Sequence, residues 1–470
     1  MKKISLLLTA CSLIAATGGT AQTVPLLLES KLNNTLDSMQ VYINNKSLSA
    51  SIQLSNTAIW SKAAGISSLV PYSPAATTDT YEIGSVAKTM TAACVLHLVD
   101  QGLLTLDDSL HEWIDTIPHI NPDITIRQLL RHQSGIYEVL SNPAHQSALL
   151  ADTDSIWSAL DFISAFIQPA PGVPGGSFAY NNTGYFLLGM IIEEVTGNPF
   201  QSEIRSRFLT PLNLNTLAIP SLEPFSSPVA HVWIDTDGDG VTEDDHTFFY
   251  NWRSLNSAVA AAGGYYGTAS DVSQWMRSYM RGDLHSAGIM SQAKSTITAG
   301  GMPATYGLGL MRKLFSGLVG YGHGGDLAYS ASSWYFPSKD ISITVLNNDA
   351  DITSWQLVPV VNALLQSYNQ WEAITTTVSE LDLSNISISA YPNPFKNDLS
   401  LSLHINGPVA SVRMVLTNTL GEEVASLERE NLTAGDHLIG FEDLTEITSG
   451  MYFVTTSLDG QAVKTVKVVK

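Results

Sequence analysis

Apolar and polar positions along the chain fall into two periods, and the switches between them mark out its elements. Residues 25–40 (PLLLESKLNNTLDSMQ) carry leucines at helical spacing and predict a short amphipathic helix. Residues 47–65 (SLSASIQLSNTAIWSKAAG) alternate apolar and polar on both sides of Ser55-Asn56, the pattern of a β-hairpin. An apolar helix follows Ser85 and runs to about Gln101, with Gly102 as its stop. Residues 124–136 (ITIRQLLRHQSGI) predict another helix, closed by Ser-Gly. The segment 169–176 (PAPGVPGG) predicts a rigid loop that leads into an apolar helix, capped by Asn181 or Asn182 and ended by Gly197. Residues 258–276 predict a glycine-rich turn and then a helix. Period two returns over 318–348, with glycines clustered at 322–325 and a turn at Pro337, and 354–368 predicts a closing helix. Strands at both ends with helices between them imply a sheet built from distant parts of the chain, with a large helical insertion against it.

After about Gln370 the texture changes. Residues 373–384 are polar and rich in Thr and Ser, and the stretch 371–385 is expected to be a linker. Short alternating segments then run from Ile386 to the terminal Lys470, with Asp459-Gly460 marking a late hairpin. They predict a small β-sandwich over 386–470, with Pro392 and Pro394 outside any central strand.

Composition narrows the function classes. At 470 residues the chain is expected to hold two or three folded units, and 44% hydrophobic content is enough for a sizeable core. A net charge of -20 argues against nucleic acid as a partner, because phosphates need a basic face. Met1-Lys2-Lys3, an apolar run over 4–16, and the small residues Gly19 and Ala21 predict a secretory signal over 1–21, removed after Ala21 or Gln22. The alternative for this segment is a lipoprotein box at 8–11 that ends in Cys11. No other run has the ~20 apolar residues that span a bilayer, so no transmembrane segment is expected in the mature chain. Loss of Cys11 with the signal leaves Cys94 alone, and its expected role is that of a small buried hydrophobe.

The candidate chemistry starts at Ser85-Val-Ala-Lys88, where a turn opens into a helix. Residues i and i+3 share a helical face, so the hydroxyl and the amine can meet. A lysine of lowered pKa can take the serine proton, and the helix N-terminus favours negative charge developing there. A second Ser-x-x-Lys, Ser291 to Lys294, is assigned nothing. Tyr180-Asn-Asn182 opens another helix behind the Pro/Gly loop. There the phenol can shuttle a proton, and Asn182 can bond both Lys88 and a substrate amide. The same Tyr-x-Asn spacing recurs at Tyr42 and Tyr391. Tyr321-Gly-His-Gly-Gly-Asp326 contains the only His-x-Gly of the chain, and its glycines allow a substrate close to the backbone.

In this combination and order the chain resembles the serine β-lactamase and penicillin-binding-protein superfamily, and in particular its class C β-lactamase, D,D-peptidase and esterase branch. The flanking stretches 124–135, 185–197 and 262–271 are similar as well, and the resemblance covers roughly residues 30–370. It implies an α/β (α+β) fold, an antiparallel sheet flanked by helices with an all-helical subdomain, over residues 26–370. It also implies that Ser85 is acylated and that Lys88 and Tyr180 share the general-base and general-acid work. The N–H groups of Ser85 and Asp326, past His323-Gly324-Gly325, would form the oxyanion hole, and His323 would stand in the place of the first Lys of Lys-Thr-Gly. No cofactor is implied for catalysis.

Gly324 departs from the pattern, since β-lactam-hydrolysing relatives usually present a hydroxyl there to bind a substrate carboxylate. Esterase or peptidase action on a small-molecule or peptide substrate is therefore expected above β-lactamase action. The alternatives are a β-lactamase or D,D-carboxypeptidase proper, or a catalytically silent relative that binds peptidoglycan or a peptide.

Two stretches stand apart. Asp235, Asp237 and Asp239, with Gly240 next, match the start of a calcium loop, but position 12 is His246 rather than Glu. The expectation is a structural Ca2+ at most. The tail (Tyr391-Pro-Asn-Pro-Phe395, Gly450-Met-Tyr-Phe-Val454 and the basic end) resembles the C-terminal sorting domain of type IX secretion. That resemblance implies the type IX machinery as partner, and a secreted or outer-membrane-surface location after Sec export.

Overall fold

Nine antiparallel strands form the sheet on which the site is built. The structure, a computed structural model, describes residues 24–55, 58–235, 239–245, 252–377, 387–405, 407–419, 421–459 and 461–470. The expected secretory signal lies outside the described residues. Three strands come from the start of the chain: β1 (Ser47–Gln53), β2 (Ile59–Leu69) and β3 (Tyr72–Pro74). Six come from more than two hundred residues later: β4 (Ile297–Thr298), β5 (Thr305–Tyr306), β6 (Met311–Phe315), β7 (Leu318–Asp326), β8 (Ser330–Phe336) and β9 (Ile341–Asn347). Their order is β3-β2-β1-β9-β8-β7-β6-β5-β4. The two groups join where β1 pairs β9, with Ile52 opposite Ile343. The expected hairpin is present as β1 and β2, with Ile52 opposite Trp60; Asn56 of its turn lies outside the described residues.

The longer helices are α1 (Leu26–Ile43), α2 (Lys88–Asp100), α3 (Thr183–Thr196), α4 (Ala269–Arg281) and α5 (Val358–Thr377). Leu28, Leu32 and Leu36 recur every four residues along one face of α1. They join Val361, Leu364 and Leu365 of α5 against Leu48, Ile52, Trp334 and Ile343 of the sheet. Helix α4 covers the other face. Strands β8 and β9 are therefore buried on both sides, although Ser and Thr alternate with their apolar residues. The hydroxyls are paired: Ser342 Oγ donates to Ser273 O at 2.6 Å, and the Ser333 and Thr344 hydroxyls lie 2.7 Å apart. Pairing removes the cost of burying them. The chain between β3 and β4 contributes a helical core in which Leu98, Leu129, Phe162, Leu187 and Ile191 meet.

Two expectations change. The helix expected over 124–136 is only Ile126–Leu130, started by a Thr125–Gln128 capping box. Beyond it Gly135 takes φ +70°, and a Cβ there would lie 2.7 Å from the backbone of Gly172 and Val173. The chain has to turn here to meet the Pro/Gly loop. The closing helix starts at Val358 rather than Ser354 and runs to Thr377, so residues 371–377 are helical where a linker was expected. Residues 378–385 of that linker lie outside the described residues.

Residues 372–470 form a second compact unit. Its strands are β10 (Ile388–Tyr391), β11 (Leu399–Ile405), β12 (Val409–Thr417), β13 (Glu423–Leu432), β14 (Gly435–Phe441), β15 (Met451–Leu458) and β16 (Gln461–Val469). They make sheets of order β10-β11-β14 and β13-β12-β15-β16. One core joins the two sheets: Leu399, Leu401 and Leu403 from the first, and Val412, Met414 and Val454 from the second. Pro392 and Pro394 follow β10 without interrupting it. Strands β15 and β16 form the late hairpin; Gly460 of its turn is not among the described residues.

The approach of β7 to the turn Gly84–Ala87 depends on two glycines. A Cβ on Gly325 would lie 2.0 Å from Ile83 O, and one on Gly84, at φ +49°, would lie 2.8 Å from Asp326 N. Gly325→Ala is expected to cost about 1–3 kcal/mol of unfolding free energy, read from urea denaturation. An unchanged midpoint would contradict this close approach.

Candidate active site

Gly84–Ala87 is a single 3-10 turn that continues directly into α2. It sets Ser85 and Lys88 on one face, as their spacing requires. The Lys88 side chain is fully buried, with Nζ 2.9 Å from Ser85 Oγ, 2.7 Å from Asn182 Oδ1 and 2.8 Å from Ala262 O. Burial lowers its pKa to about 7, against the opposing pull of the Glu138 carboxylate. A neutral amine satisfies all three contacts: it donates to the two carbonyl oxygens and turns its lone pair to the Ser85 hydroxyl. An amine in this state can accept the Ser85 proton.

Each partner of Lys88 is itself held. Asn182 occupies the N-cap position of α3, yet its side chain makes no capping bond. Asn181 does that work, accepting from Gly184 N at 2.8 Å, which leaves the Asn182 amide free to face Lys88. The Asn182 N–H donates to Glu138 Oε2. Ala262 sits in the turn after the helix Arg253–Val259, pinned where Thr91 Oγ1 donates to Ala261 O at 2.6 Å.

The Tyr180 ring stands 5.1 Å from Lys88 Nζ. Its hydroxyl is sealed from solvent without an aligned hydrogen-bond partner. Burial pushes the phenol well above its usual range, and the nearby Ser85 hydroxyl draws it back only in part. Tyr180 is therefore protonated at neutral pH.

His323 is placed differently from a lysine stand-in. A chain of hydrogen bonds with one consistent direction runs through it. Asn181 N donates to His132 Nδ1 at 3.1 Å, so His132 Nε2 carries the proton that reaches Tyr306 Oη at 3.0 Å. The Tyr306 hydroxyl then donates to His323 Nε2 at 2.9 Å, and His323 Nδ1 donates to Gly324 O at 2.5 Å. Burial holds His132 well below its usual range and His323 at about 3, so both rings are neutral. Both His323 nitrogens are committed, and no proton is left to offer to a substrate. The histidine sets the peptide of Gly324 instead.

Strand β6 pairs β7 only as far as Gly322, whereas β8 pairs it through to Asp326. The other edge of residues 323–326 faces the Ser85 turn. The Cβ positions on Gly84 and Gly325 fall 2.8 Å from Asp326 N and 2.9 Å from Ser85 N, so the two backbone nitrogens lie at the same contact. Two N–H donors beside a nucleophile are the arrangement an oxyanion requires. In front of them opens a cleft of about 230 Å³, walled by Leu140, Val259, Met302, Met311, Leu327 and Trp355.

The hydroxyl missing at Gly324 is supplied from elsewhere. Ser354 Oγ lies 2.6 Å from the position a Gly324 Cβ would take. It donates to Asp326 Oδ2 at 2.6 Å, while Ser354 N donates to Asp326 Oδ1 at 2.5 Å. Sequence reasoning missed Ser354, Trp355, Glu138, Ala262, His132 and Tyr306. The first three carry no local signal, because a lone Ser, Trp or Glu is everywhere in a chain, and Ala262 opens the stretch 262–271 but acts through a backbone carbonyl that residue type cannot single out. His132 lies within the stretch 124–135 but gave only its residue type.

Other candidates lie elsewhere. Lys294 Nζ is spent on Met280 O, so the second Ser-x-x-Lys plays no part in the cleft. Cys94 is buried, its thiol raised to about 12 by burial. Asp235 and Asp239 meet Glu243, with carboxylate oxygens within 4.8 Å of one another, away from the cleft walls; Asp237 and His246 lie outside the described residues.

Comparison with known proteins agrees with this arrangement. Over 306 residues, 60% of this chain and 75% of the other, the sequence is 28% identical to penicillin-binding protein 4 of Amycolatopsis lactamdurans. A 157-residue stretch, 32% of this chain and 33% of the other, is 27% identical to penicillin-binding protein 4* of Bacillus subtilis. Among solved structures, a D-stereospecific amidohydrolase from Streptomyces sp. aligns with TM-score 0.61 at 25% identity, over 70% of this chain and 97% of that one. D-amino acid amidase from Ochrobactrum anthropi SV3 shares the fold, with TM-score 0.64 at 20% identity over 73% of this chain and 99% of that one. Residues 389–470 match the family model described as Secretion system C-terminal sorting domain. Residues 44–359, about two thirds of the chain, match the model described as Beta-lactamase, and the chain belongs to that family.

Proposed function

We propose that this chain is an exported serine hydrolase that forms an acyl-enzyme on Ser85 and acts on an ester, an amide or a D-amino-acid peptide. The observation that carries the reading is the position of Lys88 Nζ, desolvated to a pKa of about 7 and 2.9 Å from Ser85 Oγ. In this reading neutral Lys88 takes the Ser85 proton as Oγ bonds to the substrate carbonyl carbon. The oxyanion is received by the N–H groups of Ser85 and Asp326. Tyr180 and Lys88 return a proton to the leaving oxygen or nitrogen. Water then attacks the acyl ester, gives its proton to the same pair, and frees Ser85. His323 acts through Gly324 as a positioning residue. The names of the relatives, a penicillin-binding protein and a D-stereospecific amidohydrolase, favour amide and D-configured substrates.

Export rests on the tail. A sorting domain over 389–470 favours the type IX secretion machinery as partner and a secreted or surface location. No helix among the described residues is long and apolar enough to cross a membrane. We further propose that Asp235, Asp239 and Glu243, whose carboxylate oxygens lie within 4.8 Å of one another, hold a structural Ca2+.

Ser85→Ala is expected to abolish covalent labelling by a fluorophosphonate and to cut p-nitrophenyl ester turnover by about 10³-fold or more. Nitrocefin turnover by the unmodified protein should be slow beside that of the ester; the reverse order would favour a β-lactamase proper. A silent binding protein would show no labelling in either form.

Because Lys88 must be neutral to act as base, kcat/KM for a neutral ester should rise about tenfold per pH unit below pH 7 and level off above it. A profile flat from pH 5 to 9 would remove Lys88 from the base role. EDTA is expected to lower the melting temperature by a few degrees, and Ca2+ to restore it. A melting curve indifferent to both would remove the metal.

A further inference from the structure

The cleft has a strongly uneven charge. Among its described lining residues there is no arginine or lysine, and the one carboxylate is Asp326. Asp326 is exposed to the cleft and has no ion-pair partner among the described residues. Both of its oxygens accept a bond from Ser354, one from the backbone N–H and one from the hydroxyl. A carboxylate has about four acceptor positions, so roughly two remain for a ligand. The group is thus fixed in place, oriented, and half available.

The surroundings add to the same sign. Glu138 stands behind Asn182, and it and Asp326 both bear on Tyr180. Lys88 is the opposing cation, but it is sealed beneath Ser85 and close to half-charged at neutral pH. Lys313, near Trp355, is engaged with that ring at 5.4 Å and with Pro303 O at 3.2 Å. The hydroxyl that would receive a substrate carboxylate beside position 324 comes from Ser354, and it is already donating to Asp326. An incoming carboxylate would therefore meet a fixed negative charge and a spent donor.

We propose that Asp326, held by Ser354, is a specificity-determining anchor that selects substrates bearing a protonated amine and rejects those bearing a carboxylate. The proposal rests on the acyl-enzyme reading above and names the substrate class within it: amino-bearing esters and amides. The apolar walls then take the uncharged remainder, while a fixed opposite charge in a low-dielectric cleft sets the preference by charge.

Three fluorophosphonates test this without knowledge of the natural substrate. They share one short tail length and end in a primary ammonium, a methyl or a carboxylate. In each, Ser85 Oγ bonds to phosphorus as the P–F bond breaks, fluoride leaves, and the serine proton passes to Lys88. The second-order labelling rate should fall from ammonium through methyl to carboxylate, with an ammonium-to-carboxylate ratio of about 10–100 at low salt. Asp326→Asn keeps an acceptor for Ser354 N–H and should bring that ratio to about 3 or less. The ratio cancels any common loss of reactivity. In the unmodified protein 0.5 M NaCl should also shrink the ratio, a measurement that needs no variant to fold. Labelling at equal rates by all three, or a ratio unmoved by Asp326→Asn and by salt, overturns the anchor and leaves the hydrolase reading intact. Failure of every probe to label the unmodified protein overturns the hydrolase reading itself, and the anchor with it.

Discussion

The site depends on keeping an amine out of water. A buried lysine loses the hydration of its charged form, and its pKa falls until the neutral form competes at pH 7. The loss is tolerable only where the N–H bonds are replaced, because an unsatisfied buried donor is costly. Lys88 finds its replacements on two other elements: the Asn182 amide at the start of α3 and the Ala262 carbonyl in the turn after Arg253–Val259. Each contact is supported by a bond of its own, through Asn181 to Gly184 and through Thr91 to Ala261. A group of polar contacts that looks local is thus the meeting point of three distant segments, and the proposed proton transfer at Ser85 depends on all of them.

The second constraint is steric. Strand β7 has to approach the Ser85 turn until Ile83 O touches the place of a Cβ on Gly325. Only glycine fits there, and Gly84 answers it from the other side with a positive φ. The result brings two backbone N–H groups to one contact, where no side chain has to supply charge. Behind β7 the relay from Asn181 through His132 and Tyr306 to His323 holds the peptide of Gly324 by hydrogen bonds with a single allowed direction. Protonating His132 would set its Nδ1–H against the Asn181 N–H, and protonating His323 would force the Tyr306 hydroxyl to turn its proton away, so the relay adds to the burial that keeps both rings neutral.

The C-terminal unit follows simpler physics. Strand β11 alternates Leu with Ser, and its Leu side chains join those of the second sheet in one core. Such a pattern specifies a half-buried strand without help from elsewhere, which is why its architecture was legible from residue order. Residues 389–470 of this unit are the ones that match the sorting-domain model.

Residue order alone determined the period of nearly every element, the pairing of β1 with β2, and the i, i+3 placement of Ser85 and Lys88, because these depend on neighbours in sequence. The motifs around Tyr180 and His323 were also visible there, and so was the contact of Asn182 with Lys88, whereas the part played by His323 was not. Tertiary structure decided the rest. It cut the helix over 124–136 short, because Gly135 has to meet the Pro/Gly loop. It gave capping to Asn181 and freed Asn182 for Lys88, a choice that depends on where an amine 94 residues earlier ends up. It turned His323 from a stand-in for the first Lys of Lys-Thr-Gly into a neutral link, because burial sets a histidine's charge and burial has no local signature. It also supplied from Ser354 the hydroxyl that position 324 lacks. Such a substitution across the fold leaves no mark in sequence, since contact through space ignores distance along the chain.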